Sequence, residues 1–365
     1  MILPMMTFPK IAVLIPAWNE ERTITSSIHS IFESDYPIDQ VLIVSDNSTD
    51  NTVGVVQSLR AQYPRLNVME TINNKARKSG ALNQGIRTLG PGTEYVMILD
   101  ADTRVHPACI KEGLKLLETD PTIGGICART HTGPLAANAT FAQKIWWHLQ
   151  RLEYATADSY RVERLNSIQI LAGSCVIYRL QALRKVAFRR GNGQFYDESS
   201  LIEDYELTIS LKELGWKATI GLRMHSWTEV PLNLKVHWQQ RMRWARSHVD
   251  TLREKGWNKI TREDILGHIM FIIILPQQIF FLGLLGYLIL TGVEFTWNPL
   301  LWVILGLNWL NRMYRLKYIP DLKVSDVLIR ASFIPEEVYG LWHSVQQVWA
   351  YWLAFTNGPE EWQLT

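Results

Sequence analysis

Cysteine is scarce in this chain, and none of the three, Cys109, Cys127 and Cys175, is spaced from another as Cys-x-x-Cys. That excludes a zinc ribbon and a disulfide framework, and it fits a reducing compartment. Net charge is nearly absent too, with a formal balance of +2. A general nucleic-acid binder needs a basic stripe, so nucleic acid is not an expected partner. The opening Met1-Ile2-Leu3-Pro4-Met5-Met6 is too short and uncharged to read as a secretory signal. No internal repeat or low-complexity segment is visible. From Ile265 to Val293 there is no Asp, Glu, Lys or Arg at all.

That uncharged run is long enough to cross a bilayer, which takes about 20 residues. Pro276 is expected to kink it. Phe295 to Asn311 is a second, shorter candidate span. Arg253, Lys255, Lys259 and Arg262 precede the first, and Arg312, Arg315 and Lys317 follow the second. The connection Thr291-Gly292-Val293-Glu294 carries no basic residue, so both outer flanks are expected on the cytoplasmic side of a transmembrane hairpin. A buried hairpin in a soluble protein is the other reading. Val338 to Phe355 puts Leu341, Trp342, Val345, Val348, Trp349, Trp352 and Phe355 on one face, with His343, Ser344, Gln346 and Gln347 opposite. It reads as an interfacial helix, with a third span or a surface helix as alternatives. Phe141 to Tyr160 reads as an amphipathic helix suited to a bilayer surface. Most of the 15 tryptophans lie in this later part, and such enrichment is common at membrane interfaces.

The earlier part alternates strand and helix. Lys10–Pro16, Val41–Val44, Leu66–Met69 and Tyr95–Leu99 read as buried strands, with helices over Thr25–Ser34, Thr52–Tyr63 and from Lys78 onward. Such alternation implies βαβ units and a mostly parallel sheet. Ile168–Tyr178 returns to strand character, Asp204–Leu214 is a helix stopped by Gly215, and Trp238–Glu254 is a further helix.

Polar groups then fall where strands end, which is where ligands of open α/β sheets collect. Pro16, Ala17, Asn19 and Glu20 follow the first strand, Asp46 the second, and Asp100-Ala101-Asp102 the fourth. Two carboxylates one residue apart suit a hard divalent cation, although solvated loop residues would read the same way. Lys78 before Gly80 places a cation near a helix start, suited to phosphate, or merely in a solvated turn. Glu203-Asp204 opens a helix, where a carboxylate is favoured in its charged form and can accept a proton, besides capping. Gln240, Arg243 and Trp244 share one helix face, offering an amide, a bidentate cation and an aromatic platform. A basic membrane-facing helix is the plainer reading.

Taken in order, Asp46, Asp100-Ala101-Asp102, Glu203-Asp204 and Gln240-Arg241-Met242-Arg243-Trp244 resemble the D, DxD, ED, QxxRW set of family 2 glycosyltransferases. The likeness is to the membrane-bound branch of cellulose, chitin and hyaluronan synthases, and it covers roughly residues 8–260. The resemblance implies an α/β chain of GT-A fold: a Rossmann-like mixed sheet with flanking helices, here joined by interface helices and a transmembrane hairpin. It implies a UDP-sugar donor and Mg2+ or Mn2+ held by Asp100 and Asp102. Asp46 would contact uracil, with Pro16, Ala17, Asn19, Glu20, Lys78, Asp100, Gln240 and Arg243 on the nucleotide. Asp204 would be the base, while Gly173, Ser174, Glu203 and Trp244 would line the acceptor side.

The domains expected are a catalytic domain over 1–235, interface helices over 236–262, a hairpin over 263–311 and amphipathic helices over 312–365. Polymer-secreting relatives usually carry more spans. Two hardly enclose a channel, so secretion would need a homo-oligomer. A glycan, a lipid or a protein at the cytoplasmic face of the bilayer is the acceptor class. Two further readings remain: transfer to a lipid phosphate, and a silent membrane protein that only binds nucleotide sugar.

Overall fold

The computed structural model describes residues 9–165, 167–292, 299–356 and 358. Among them eight strands form one sheet: β1 (Ile11–Ala17), β2 (Gln40–Ser45), β3 (Leu66–Glu70), β4 (Tyr95–Leu99), β5 (Thr103–Val105), β6 (Ile123–Thr132), β7 (Cys175–Arg179) and β8 (Lys217–Thr228). Their order is β3-β2-β1-β4-β7-β6-β8-β5. Seven helices interleave with them: α1 (Ile24–Phe32), α2 (Thr52–Leu59), α3 (Arg77–Arg87), α4 (Cys109–Thr119), α5 (Phe141–Glu163), α6 (Leu180–Arg190) and α7 (Glu203–Glu213). The rest follow the sheet: α8 (Leu234–Lys255), α9 (Arg262–Thr291), α10 (Pro299–Tyr314), α11 (Val324–Ala331) and α12 (Ile334–Thr356).

The chain divides into two compact units. The first takes in Met1–Ala139 and Ala157–Pro231, the second Thr140–Thr156 and Leu232–Thr365. In the first, β1 to β4 are parallel, β7 runs against β4, and β8 is parallel to β6. The sheet is therefore mixed. Its strands read as unbroken apolar runs because both faces are covered. One face packs on Ile28, Val56 and Leu114 of α1, α2 and α4, and the other on Leu82, Leu183 and Leu207 of α3, α6 and α7. Helix α3 comes close to the sheet because residue 85 has no side chain. A Cβ there would stand 2.7 Å from both Leu14 Cδ2 and Val44 Cγ2. Gly85→Ala is expected to cost about 1–3 kcal/mol through overpacking, read as an earlier midpoint in thermal unfolding.

The expected strands and helices of this unit occur within a few residues, with one correction. Ile168–Ser174 is not strand; only Cys175–Arg179 is. Side chains of α7 take the donors a ladder would have used: Leu171 N–H donates to Thr208 Oγ1 at 3.0 Å and Gly173 N–H to Asp204 Oδ2 at 2.9 Å.

The second unit carries two further corrections. From Trp147 to Leu152, α5 is buried on both faces. Arg151 Nη2 lies 3.2 Å from Asp326 Oδ2 and His148 Nδ1 lies 2.6 Å from Asp326 Oδ1, so this stretch does not lie on a bilayer surface. In α12 the side expected to face water is the enclosed one. Gln346 is 1 % exposed, whereas Val345, Val348, Trp349, Trp352 and Phe355 are all exposed. Among the described residues one helix, Arg262–Leu288, is long and apolar enough to cross a membrane, with mean hydropathy 2.1 and no part of that window buried. It runs through Pro276. The hairpin connection at Val293 and Glu294 and the start of the second candidate span at Phe295 lie outside the described residues. The part seen, α10, has 16 residues, short of the roughly 20 that a span takes.

Candidate active site

Because β1, β2, β3, β4, β6 and β8 point the same way, their carboxyl ends share one edge of the sheet, and the reversed β7 brings its amino end there. Pro16, Ala17, Asp46, Asp100 and the Gly173-Ser174 pair thus meet at that edge. Asp100 N–H donates to Ser174 O at 3.0 Å, which ties the β4 exit to the β7 entry. Glu203 and Asp204 arrive from the first turn of α7. Asp204 Oδ2 accepts from Gly173 N–H at 2.9 Å and Oδ1 from Tyr205 N–H at 2.8 Å. Both carboxylate oxygens are thereby aimed by the backbone.

Lys78, from the first turn of α3, bridges two of the acids. Its Nζ stands 2.6 Å from Asp100 Oδ1 and 2.9 Å from Glu203 Oε1. Burial disfavours the ammonium, but the two carboxylates outweigh it and hold Lys78 charged. Among the described residues no lysine or arginine pairs with Asp102. Its Oδ1 accepts from Thr228 Oγ1 at 3.0 Å and Thr103 Oγ1 at 3.1 Å. Partial burial and then the charge of Asp100 push its carboxyl up to about 7, against the pull of Thr228. Glu20 is raised by burial, partly offset by the Thr23 hydroxyl, and by the charges of Asp100, Glu229 and Asp50. Several carboxylates therefore share one edge with a single lysine among the groups named, and the donors are all oxygen. That set fits a hard divalent cation.

Asp204 is also raised, to about 6. Burial is the main cause and the neighbouring Glu203 the next, with Lys78 and the Gly173 and Tyr205 N–H groups pulling down. A carboxylate poised there is ionised at neutral pH yet basic enough to take a proton.

Around the first strand ends, backbone geometry dominates. Asn19 has φ 57° and its Oδ1 accepts from Thr49 N–H at 2.7 Å, pinning the β1 and β2 exits together. Asp46 N–H donates to Ala17 O at 2.8 Å. Asp46 Oδ1 accepts from Thr71 Oγ1 and Asn74 Nδ2, both at 2.7 Å. Gly80 makes room for this: a Cβ there would lie 1.9 Å from Asn74 Oδ1. Thr71, Asn74, Thr103, Thr228 and Glu229 were not singled out from sequence. Polar residues just beyond β3 could have flagged the first two. The last two needed β8, whose sequence shows no clean alternation.

In the second unit Gln240, Arg243 and Trp244 lie on α8 as expected. The intervening Arg241 is the buried one, 4 % exposed. Its guanidinium sits 4.3 Å from the centre of the Trp244 ring and donates to Gln240 Oε1 at 3.1 Å.

Residues 12–187 match the sequence model of glycosyl transferase family 2. The chain carries a family 2 glycosyltransferase domain. Its fold is shared with a mannosyltransferase of Pyrobaculum calidifontis solved in complex with GDP-Man and Mn2+: TM-score 0.58, 16 % identity, covering 97 % of this chain and 89 % of that one. The sheet is GT-A-like. Poly-beta-1,6-N-acetyl-D-glucosamine synthase of Staphylococcus epidermidis is 25 % identical over 264 residues, 71 % of this chain and 60 % of the relative. Beta-monoglucosyldiacylglycerol synthase of Synechocystis is 28 % identical over 293 residues, 74 % of this chain and 55 % of the relative. The chain thus spans little more than half the length of these relatives.

Within this glycosyltransferase domain Gly173 leaves little room beside the Asp204 carboxylate. An added Cβ would stand 3.1 Å from Asp204 Oδ2 and 3.2 Å from its Cβ. Gly173→Ala is expected to shift the carboxylate by a few tenths of an ångström and lower kcat by about ten- to a hundredfold. Steady-state kinetics beside an unchanged nucleotide Kd would check it.

Proposed function

We propose that this chain is an inverting glycosyltransferase that moves a sugar from a UDP-sugar to an acceptor hydroxyl at the cytoplasmic face of a membrane. The observation that carries the reading is Asp204: a carboxylate oriented by two backbone N–H groups, tuned to about 6, beside the Glu203–Lys78–Asp100 chain. Asp204 takes the proton of the acceptor hydroxyl as that oxygen attacks the anomeric carbon. Asp46, steadied by Thr71 and Asn74, and the backbone at Pro16, Ala17, Asn19 and Glu20 seat the nucleotide. Asp100 and Asp102 would hold a divalent cation, which supplies Lewis acidity toward the diphosphate leaving group. Lys78 can exchange a carboxylate partner for a phosphate oxygen. By the motif resemblance, Gln240 and Arg243 are assigned to the diphosphate, and Trp244, Gly173, Ser174 and Glu203 to the acceptor.

The proposed organisation is a catalytic domain over 1–235, interface helices over 236–262, membrane helices over 263–311 and amphipathic helices over 312–365. The bilayer is the partner that fits α9 and the outward apolar stripe of α12. Water would leave that stripe as a large exposed patch, which soluble monomers rarely carry. A sugar polymer is one acceptor. A diacylglycerol-type lipid hydroxyl is the second, favoured by the likeness to the glucosyldiacylglycerol synthase and by that stripe. Membranes containing the chain, given UDP-glucose, UDP-N-acetylglucosamine and GDP-mannose in turn, should release UDP and yield a glycosylated product by mass analysis. Release of GDP alone would overturn the donor assignment.

A further inference from the structure

Arg241 touches two of the three residues that the resemblance singles out on α8, although it occupies an unspecified position of that motif. Its Nη1 donates to Gln240 Oε1, and its guanidinium carbon stands over the Trp244 ring, 4.3 Å from the ring centre. The guanidinium is itself held from a second helix, and that partner from a third. Arg241 Nη2 stands 2.9 Å from Glu153 Oε2 on α5, and the same oxygen accepts from the Tyr339 hydroxyl of α12 at 2.6 Å. His237 Nε2 stands 3.2 Å from that hydroxyl, and Trp342 Nε1 donates to His237 Nδ1 at 3.4 Å. One carboxylate therefore links α5, α8 and α12 at the base of the motif.

Glu153, His237 and His343 also bring possible ligand atoms within 4.8 Å of one another. A cation is the weaker use of this cluster. The Glu153 oxygen already faces a guanidinium and a phenol, and both His237 nitrogens are engaged.

A buried ion pair adds little net stability, because desolvation consumes most of the attraction. What it does supply is direction. A planar guanidinium with a fixed carboxylate partner cannot turn freely, and an indole stacked on it shares that restriction. Trp244, 37 % exposed, has the guanidinium against its ring and part of its surface open to solvent.

We propose that Glu153, with Tyr339, acts through Arg241 as the positioning residue that fixes the orientation of Trp244 and Gln240. The value of that orientation for acceptor use rests on the reading of Trp244 given above. The first test needs no substrate. In the full chain labelled with 5-fluorotryptophan, the Trp244 19F resonance is identified by its loss in Trp244→Phe. Glu153→Gln should shift and broaden that resonance, while Glu153→Asp leaves it near its original place. An unmoved signal in Glu153→Gln overturns the proposal. If Glu153→Gln fails to fold, Tyr339→Phe keeps the packing and should move the same resonance by less; no movement there overturns it equally.

The second test is UDP release from UDP-glucose with native membranes as acceptor. Glu153→Gln should cut the rate about tenfold, and by clearly less in a Trp244→Ala background. Additive losses would show a general structural role and overturn the relay. An inert wild type would sink the donor and acceptor reading, while the 19F result would still decide the positioning claim.

Discussion

Asp204→Asn is expected to abolish sugar transfer while the chain still binds nucleotide. The substitution keeps size and one acceptor oxygen, so the bond from Gly173 N–H can persist, but an amide cannot take a proton. Loss of a general base typically costs about 10²- to 10⁴-fold in rate. The wild-type pH profile should carry the same signature. With Asp204 raised to about 6, chiefly by burial and then by Glu203, the limiting rate rises as pH climbs through about 6 and levels above it. The sign for stability is opposite. A carboxyl whose folded value is raised favours the fold when protonated, so this group adds stability as pH falls through about 6. Acid loss of activity around that pH should therefore precede unfolding. Stopped assays of UDP release across pH 5 to 8, paired with isothermal titration of UDP, would test both points. Wild-type turnover by the Asn variant would remove Asp204 from the mechanism.

Asp102→Asn is the second large effect, and it moves two observables apart. Asp102 sits near Asp100 and Glu20 with hydroxyl partners, and its carboxyl is raised to about 7. Ionised at higher pH, it costs the metal-free protein stability that a neutral amide would restore. The variant should melt about 2–4 °C higher in chelator, the shift expected for about 1 kcal/mol in a unit of this size. Transfer should fall about a thousandfold or more, since cation stabilisation of the leaving diphosphate is worth several kcal/mol. Thermal unfolding in EDTA and a Mn2+ titration of activity measure the two. A variant that is neither more stable without metal nor slower with it would dissociate Asp102 from the cation.

Several elements were legible because their cause is local. β1 and β4 are apolar runs ended by turn residues. α7 starts at a carboxylate pair and stops before Gly215, which takes φ 81°. α9 is a long uncharged run. Position on the sheet edge followed too, since parallel strands carry the residues after them to one side. β8 is not legible in the sequence because its inward and outward residues do not alternate in hydrophobicity. Ile168–Ser174 has the composition of a strand but is not one, because α7 side chains, not a neighbouring strand, take the amides of Leu171 and Gly173.

Periodicity states which side chains share a face, and for α12 it grouped Leu341, Val345, Trp349 and Trp352 correctly. It could not say which way the face turns, because that depends on what the opposing helices offer. Here they enclose Gln346 and Tyr339 and leave the apolar row outside. Pairings across large sequence gaps were equally out of reach: Lys78 with Asp100 and Glu203, Asp204 with Gly173, and Arg241 with Glu153. The sequence alone determined which chemical groups this protein possesses and the order in which they occur. Only the tertiary structure decided which of them meet, because a contact between distant residues depends on the packing of every element between them.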